Sequence, residues 1–255
     1  MSDNLRPSIW RSVIFNILFY GAHLLLLPFL LLCLPFDRRA TVRGLYLFFR
    51  MFEFLEKHVL RLTYEFRGRE HLEALRQQGC FIFACKHQSV WETYMLHRWM
   101  GDPAVIMKQE LVDLPVWGHL ARKVGVIGVN RGAGGAALKS LIAGGKKAKA
   151  DGRPIVIFPE GTRKAPHDVG DYKYGVGALY QSVDLPLLPV ALNSGVFWGR
   201  RAFLQKPGTI IIEALPPIPP ASVTGYKAAD LLRELEMQLE PVAARLVAEA
   251  ESQIH

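Results

Sequence analysis

With 255 residues, half of them hydrophobic, and a net charge of +8, the chain can bury one sizeable core with a smaller appendage and is too apolar to stay disordered. Its three cysteines, Cys33, Cys80 and Cys85, all lie in apolar segments. That odd number argues against a disulfide framework and fits a reducing cytoplasm, while the basic balance suits nucleic acid, anionic lipid or a phosphate-bearing substrate.

The front end chooses among these in favour of lipid. Residues 12–36, "SVIFNILFYGAHLLLLPFLLLCLPF", contain no charged residue, and a bilayer-crossing helix needs about 20 apolar residues. A cleaved signal peptide is the competing reading, but no small-x-small site follows and the chain beyond stays amphipathic. Arg6 and Arg11 precede the stretch; Arg38, Arg39 and Arg43 follow it. A simple span concentrates basic residues on its cytoplasmic side. Cations at both ends, with Gly21 and Pro28 near the middle, predict a helical hairpin dipping into one leaflet, a true span being the alternative. His23 reads as an interfacial or internally bonded side chain rather than a ligand.

Next, Leu45, Phe48, Phe49, Phe52, Leu55, Val59 and Leu62 recur at helical spacing, with Arg50, Glu53, Glu56, Lys57 and Arg61 between them. This predicts an amphipathic helix lying on a membrane, against a globular domain, or both. Residues 1–62 are therefore assigned to N-terminal membrane-associated helices and 63–255 to an α/β domain.

Within that domain, runs rich in Val and Ile at 80–85, 104–107, 124–129, 154–158, 187–192 and 209–214 read as strands. Most are continuously apolar, which predicts burial on both faces. Helical patterns near 90–100, 134–150 and 175–183 alternate with them. The expected fold is α/β, a largely parallel central sheet flanked by helices. Residues 214–225 form a Pro-rich loop, and a last amphipathic helix starts near Tyr226, with Pro241 expected to kink or break it. No internal repeat or low-complexity tract is present.

In such sheets active residues gather at the carboxyl ends of the strands. His87 follows the 80–85 run in "FACKHQSVWET", with Glu92 five positions on. Within one regular helix that step turns the side chain about 140° away, so the two meet only if His87 precedes the helix and Glu92 lies in its first turn. A carboxylate on Nδ1 would leave Nε2 free to take a proton. The plain alternative is a strand-end histidine beside a solvated glutamate. "FPEGTR" follows the 154–158 run and brings Glu160, Thr162 and Arg163 to a tight turn made by Pro159 and Gly161. An arginine there can hold an anion through paired donors; a capped turn with a surface ion pair is the alternative. Lys173 and Gly175 precede the 175–183 helix, whose N-terminus with a nearby lysine suits a phosphate.

"GVIGVNRGAGGAALKS" puts Arg131 just beyond another strand. Its Gly132-x-Gly134-x-x-Ala137 string matches a dinucleotide fingerprint only superficially, since no acidic residue ends a second strand at the expected offset. Leu138 stands where a Walker loop has glycine before its lysine. A glycine-rich helix start is the plain reading. No His/Cys spacing suggests zinc, and no G-x-S-x-G elbow offers a serine nucleophile.

Taken together, "HQSVWE", "GVIGVNR", "FPEGTR" and Pro189 in "LLPVAL" occur in one order over about residues 63–215. On these motifs the chain resembles the glycerolipid acyltransferases, the 1-acylglycerol-3-phosphate acyltransferase family. The resemblance implies acyl transfer from acyl-CoA or acyl-carrier protein to the sn-2 hydroxyl of lysophosphatidic acid, giving phosphatidic acid in phospholipid biosynthesis. His87 would be the general base and Glu92 its orienting partner. Arg131 and Arg163 would hold the phosphate, with Lys108 and Lys173 as helpers, and Glu160, Gly161 and Thr162 would shape the site. The resemblance implies no cofactor, no metal and no covalent acyl-enzyme. The implied partners are the lipid bilayer, the lysophospholipid and the thioester donor, with no nucleic acid, at the cytoplasmic face of the cell membrane. One departure is that Glu92 stands where the family usually has aspartate. Three rivals accompany this reading: a sister enzyme for another lysolipid, a catalytically silent membrane-binding relative, which would be expected to have lost His87 or Arg163, and a lipid hydrolase, disfavoured by the missing serine elbow.

Overall fold

The computed structural model describes residues 7–32 and 34–254; Arg6 and Cys33, both named above, lie outside the described residues. Helix α1 (Ile9–Leu32) leads through a short turn to α2 (Arg38–Leu55), which ends in a π-helical turn (Glu56–Leu60). There follow β1 (Leu62–Arg67), α3 (Arg69–Gln78), β2 (Ile82–Cys85), α4 (Trp91–Met100), β3 (Ala104–Lys108), α5 (Gln109–Val112), α6 (Trp117–Val124), β4 (Ile127–Val129) and α7 (Gly135–Ala150). The chain continues as β5 (Ile155–Ile157), α8 (Tyr174–Val183), β6 (Leu187–Leu192), α9 (Ser194–Phe197), β7 (Gly208–Ala214), α10 (Ala221–Thr224) and α11 (Ala228–Ile254).

Among the described residues one sheet runs β1-β7-β6-β2-β5-β3-β4. Five adjacent strands, β6 through β4, are parallel; β7 lies antiparallel to β6, and β1 pairs parallel with β7. The largely parallel α/β sheet is thus as expected. β2 sits between β6 and β5, and its pleat splits the core. Phe83 and Cys85 face the layer containing α1, α2 and α4, while Ile82 and Ala84 face α7, α8 and α11. Both faces are covered, which is why the strands read as unbroken apolar runs.

Two expectations about proline are corrected. The chain does not fold back at Gly21 and Pro28: α1 is one helix through both, and the hairpin is made by α1 with α2. An apolar stretch has nothing to satisfy backbone groups freed by a bend, whereas the turn after it has Asp37, whose carboxylate accepts from the Ala40 N–H at 2.9 Å. By length and composition alone α1 is apolar enough to cross a bilayer. Likewise α11 continues through Pro241. Leu235, Leu239, Ala243 and Leu246 keep one buried stripe on both sides of it, and that packing outweighs the single lost donor.

The expected strand at 124–129 is shorter, because α6 occupies its first residue and Gly125 ends that helix at φ 77°, a conformation glycine adopts at no cost. β1 went unread because its alternating pattern blends into the amphipathic helix before it. Arg61, at φ 56°, makes the change of direction. In α2, Leu45, Phe48, Phe49 and Phe52 are buried towards the domain while Leu47, Met51 and Phe54 are exposed. His23 is internally bonded: its Nδ1 donates to the Phe19 carbonyl at 2.8 Å, leaving Nε2 to accept from the Tyr94 hydroxyl at 2.9 Å.

Gly177 is where α8 meets the start of α11. A Cβ there would lie 2.5 Å from the Ala228 carbonyl oxygen and 2.6 Å from its Cα. Neither atom can swing aside, so Gly177→Ala is expected to destabilise the fold by about 1–3 kcal/mol. Thermal unfolding would read it as a lower Tm; an unchanged Tm would mean that the helices are not so closely apposed.

Candidate active site

The site is built on the carboxyl end of β2. His87 lies in the turn between β2 and α4, and Glu92 is the second residue of α4. This is the one arrangement in which a five-residue step lets the two meet. Glu92 is fully buried, and four donors converge on it. Its Oε1 accepts from His87 Nδ1 at 2.8 Å, Gln88 N at 2.8 Å and Ser89 N at 2.7 Å; its Oε2 accepts from Ser194 Oγ at 2.8 Å. A carboxylate only accepts, so Nδ1 carries the proton and the Nε2 lone pair is open. The extra methylene of glutamate lets one oxygen reach back to two backbone donors of the turn as well as to the ring. The imidazole stacks on Phe158, with centroids 3.9 Å apart and planes 17° from parallel.

Behind the histidine sits a buried charge cluster. The His87 N–H donates to Glu160 Oε2 at 2.9 Å. Lys86 Nζ lies 2.8 Å from Glu160 Oε1 and 2.6 Å from Glu240 Oε1. Glu240, on α11, also accepts from the Tyr172 hydroxyl at 2.8 Å. Lys86 is 2 % and Glu160 0 % exposed. Burial raises the Glu160 pKa above its ordinary value, and Lys86 opposes the rise. Burial, and next to it Glu240, pushes the Tyr172 phenol up, so it stays a donor. "EGTR" therefore divides: Glu160 faces inward as a support for the His87 turn, while Gly161, Thr162 and Arg163 face outward.

In front of His87 is a chamber of about 410 Å³. Lys108, Arg131, Arg163 and Arg200 line it, with Glu110 as an acidic neighbour and Gly161 and Thr162 on its wall. Arg131 Nη1 donates to the Gly161 carbonyl, tying the loop after β4 to the loop after β5. Burial lowers the Arg131 pKa and Glu110 opposes this. Among the described residues, the side chains of Lys108, Arg163 and Arg200 have no hydrogen-bond or ion-pair partner within the protein. Three unpaired cations facing one space make it a place for an anion.

Lys173 does not line this chamber but borders it, next to Gly161 and Arg131. It caps α8, pairs with Asp171 and lines a neighbouring, mainly apolar cavity of about 580 Å³ between α7 and α8. Its position before a helix was legible in sequence, but the side of the sheet on which that helix packs was not. Gly134 and Gly135, from the superficial dinucleotide string, open α7 on the same cavity. Sequence reading missed Lys86, Gln88, Phe158, Ser194, Arg200 and Glu240. The strand-end rule could have found Ser194 and Arg200, which follow β6 in "NSGVFWGR". No local pattern connects Glu240 to His87.

The Acyltransferase family model matches residues 64–193. The 1-acyl-sn-glycerol-3-phosphate acyltransferase of Pseudomonas aeruginosa is 32 % identical over 195 residues, covering 76 % of this chain and 73 % of that protein. The human 1-acyl-sn-glycerol-3-phosphate acyltransferase beta is 28 % identical over 69 % of this chain and 62 % of its own length. Among solved structures, the 1-acyl-sn-glycerophosphate acyltransferase of Thermotoga maritima superposes with a TM-score of 0.72 over 95 % of this chain and 97 % of that one, at 20 % identity, a likeness of fold.

Proposed function

The chain belongs to the acyltransferase family, and from that premise we propose that it moves a fatty acyl group from a thioester to the sn-2 hydroxyl of lysophosphatidic acid, giving phosphatidic acid. The observation that carries this reading is the open Nε2 of His87 beside a chamber of unpaired cations. The base needs a hydroxyl to deprotonate, and the cations need a phosphate on the same molecule.

In this reading Nε2 takes the hydroxyl proton as the oxygen attacks the thioester carbonyl. The tetrahedral intermediate collapses with loss of the thiolate, which takes the proton back from the imidazolium. Glu92 holds the tautomer throughout and steadies the transient positive charge. Lys108, Arg131, Arg163 and Arg200 hold the phosphate, which fixes the hydroxyl near the base and supplies the orientation that two bound substrates require. Neither a cofactor nor a metal has a part in these steps. Acyl-CoA and acyl-carrier protein both present the same thioester, and both are proposed donors. In this reading the enzyme works on the lipid bilayer, at its cytoplasmic face; the exposed apolar face of α1 and α2 supports the bilayer contact.

The test is thiol release by the purified full-length protein given palmitoyl-CoA, with and without lysophosphatidic acid. Release that needs the acceptor and yields phosphatidic acid would support the reading. Release without acceptor would make the protein a hydrolase. Silence with both acyl-CoA and acyl-carrier-protein donors, across several lysolipids, would sink it. A finer test is Arg163→Ala, expected to raise the acceptor KM about ten- to hundredfold, the worth of a hydrogen bond to a charged group, with a smaller change in kcat. Unchanged acceptor affinity would remove Arg163 from the phosphate site.

A further inference from the structure

Between α9 and β7 the chain runs "WGRRAFLQKPG", residues 198–208. This loop contains two adjacent apolar side chains turned outward, Phe203 at 56 % and Leu204 at 40 % exposure. Arg200, Arg201 and Lys206 flank them in the chain. Exposed apolar pairs in a basic loop are not what solvent selects. Arg201 is held at φ 61°, outside the range most side chains prefer, so the loop has a definite shape.

The loop is fastened to α1. Asn16 Nδ2 donates to the Phe203 carbonyl at 3.2 Å, and the Gln205 N–H donates to the buried Ser12 Oγ at 3.1 Å. One and two turns beyond Asn16 on the same side of α1 stand Tyr20 and Leu24, 67 % and 75 % exposed. Phe203 and Leu204 thus extend the exposed apolar face of α1. The other end of the loop reaches the active site, because Arg200 lines the chamber in front of His87.

We propose that residues 200–206 form a second lipid contact, in which Phe203 and Leu204 enter an anionic bilayer, Arg201 and Lys206 pair with its headgroups, and Arg200 receives the acceptor phosphate from that surface. The proposal rests on the reading of the protein as an enzyme acting on bilayer lipids. Its occupant is an anionic phospholipid surface, on two grounds: the patch is continuous with the apolar face of α1, and its charges complement phosphate headgroups.

The experiment compares two substitutions of the full-length protein, Phe203→Asp with Leu204→Asp, and Arg201→Gln with Lys206→Gln. Each is assayed with lysophosphatidic acid in phosphatidylcholine vesicles of increasing phosphatidylglycerol content, and with a short-chain, water-soluble acceptor without vesicles. The first pair is expected to raise the apparent KM for the vesicle acceptor about tenfold. The second should remove about fivefold of the gain from phosphatidylglycerol per cation. Both should leave the soluble acceptor unchanged. Equal losses on both acceptors would place the loop's effect in the site itself and overturn the proposal, as would no loss on either.

Hydrogen exchange of wild-type protein in nanodiscs provides a readout independent of turnover. Slower exchange at residues 200–206 on phosphatidylglycerol than on phosphatidylcholine supports the contact even if no acceptor is turned over, an outcome that would sink the enzyme reading alone. Slowing that follows protein concentration rather than lipid charge would assign the patch to a second copy of the chain and overturn the proposal.

Discussion

Replacing His87 with alanine is expected to lower kcat/KM by at least about 10²- to 10⁴-fold, the usual contribution of a positioned general base. The acceptor hydroxyl is a poor nucleophile, and the cations that line the chamber, Lys108, Arg131, Arg163 and Arg200, offer no lone pair in place of the imidazole. The loss should fall mainly on kcat, because the phosphate contacts that hold the acceptor remain. Thermal stability should change little. The ring is partly exposed and its principal partner, Glu92, keeps three other donors. Steady-state kinetics with lysophosphatidic acid, beside a melting curve, checks both halves. Full activity in this variant would remove His87 from the chemistry and with it the proposed mechanism.

The largest expected loss of stability comes from Lys86→Met. Methionine fits the space but leaves Glu160 and Glu240 facing each other without their shared cation. Breaking one side of a buried charge cluster costs about 3–5 kcal/mol. The pH dependence distinguishes this from a packing defect. Burial already raises the Glu160 pKa, and removing Lys86 raises it further. A carboxyl whose folded pKa exceeds its unfolded value loses stability as pH rises through that interval and regains it on acidification. The variant should therefore be least stable at neutral and alkaline pH and recover part of the difference towards the ordinary glutamate range. Urea unfolding across that range reads it. A deficit independent of pH would mean that the cluster is neutral without its lysine. Activity should fall with stability, since Glu160 holds the His87 backbone N–H.

Legibility in the sequence depended on how local each feature is. The strand runs were visible because burial on both faces leaves them apolar along their length, as in "LLPVAL" and "TIIIEA". β1 was not, since Leu62 alone in it is fully buried and its other residues alternate. His87, Glu92, Arg131 and Arg163 stand at strand ends, and the strand-end rule found them. Nothing local marks Lys86, because its burial depends on Glu160 and Glu240 from distant segments. Arg200 lay outside the recognised motifs, and its place in the chamber follows from the turn α9 makes after β6. Lys173 lines the adjoining apolar cavity, which shares Arg131, Gly161 and Thr162 with the chamber, because which cavity a residue before a helix borders depends on where that helix packs.

The contact between Lys86 and Glu240 joins positions separated by 154 residues. A ribosome adds about 5–20 residues per second, so the His87 turn emerges roughly 8–30 s before Glu240 completes the cluster behind it, and α1 emerges earlier still. During that interval the nascent chain already exposes its apolar hairpin while the histidine turn lacks part of its support. On the proposed function attachment thus precedes competence, each new copy reaching lipid before it can act on it.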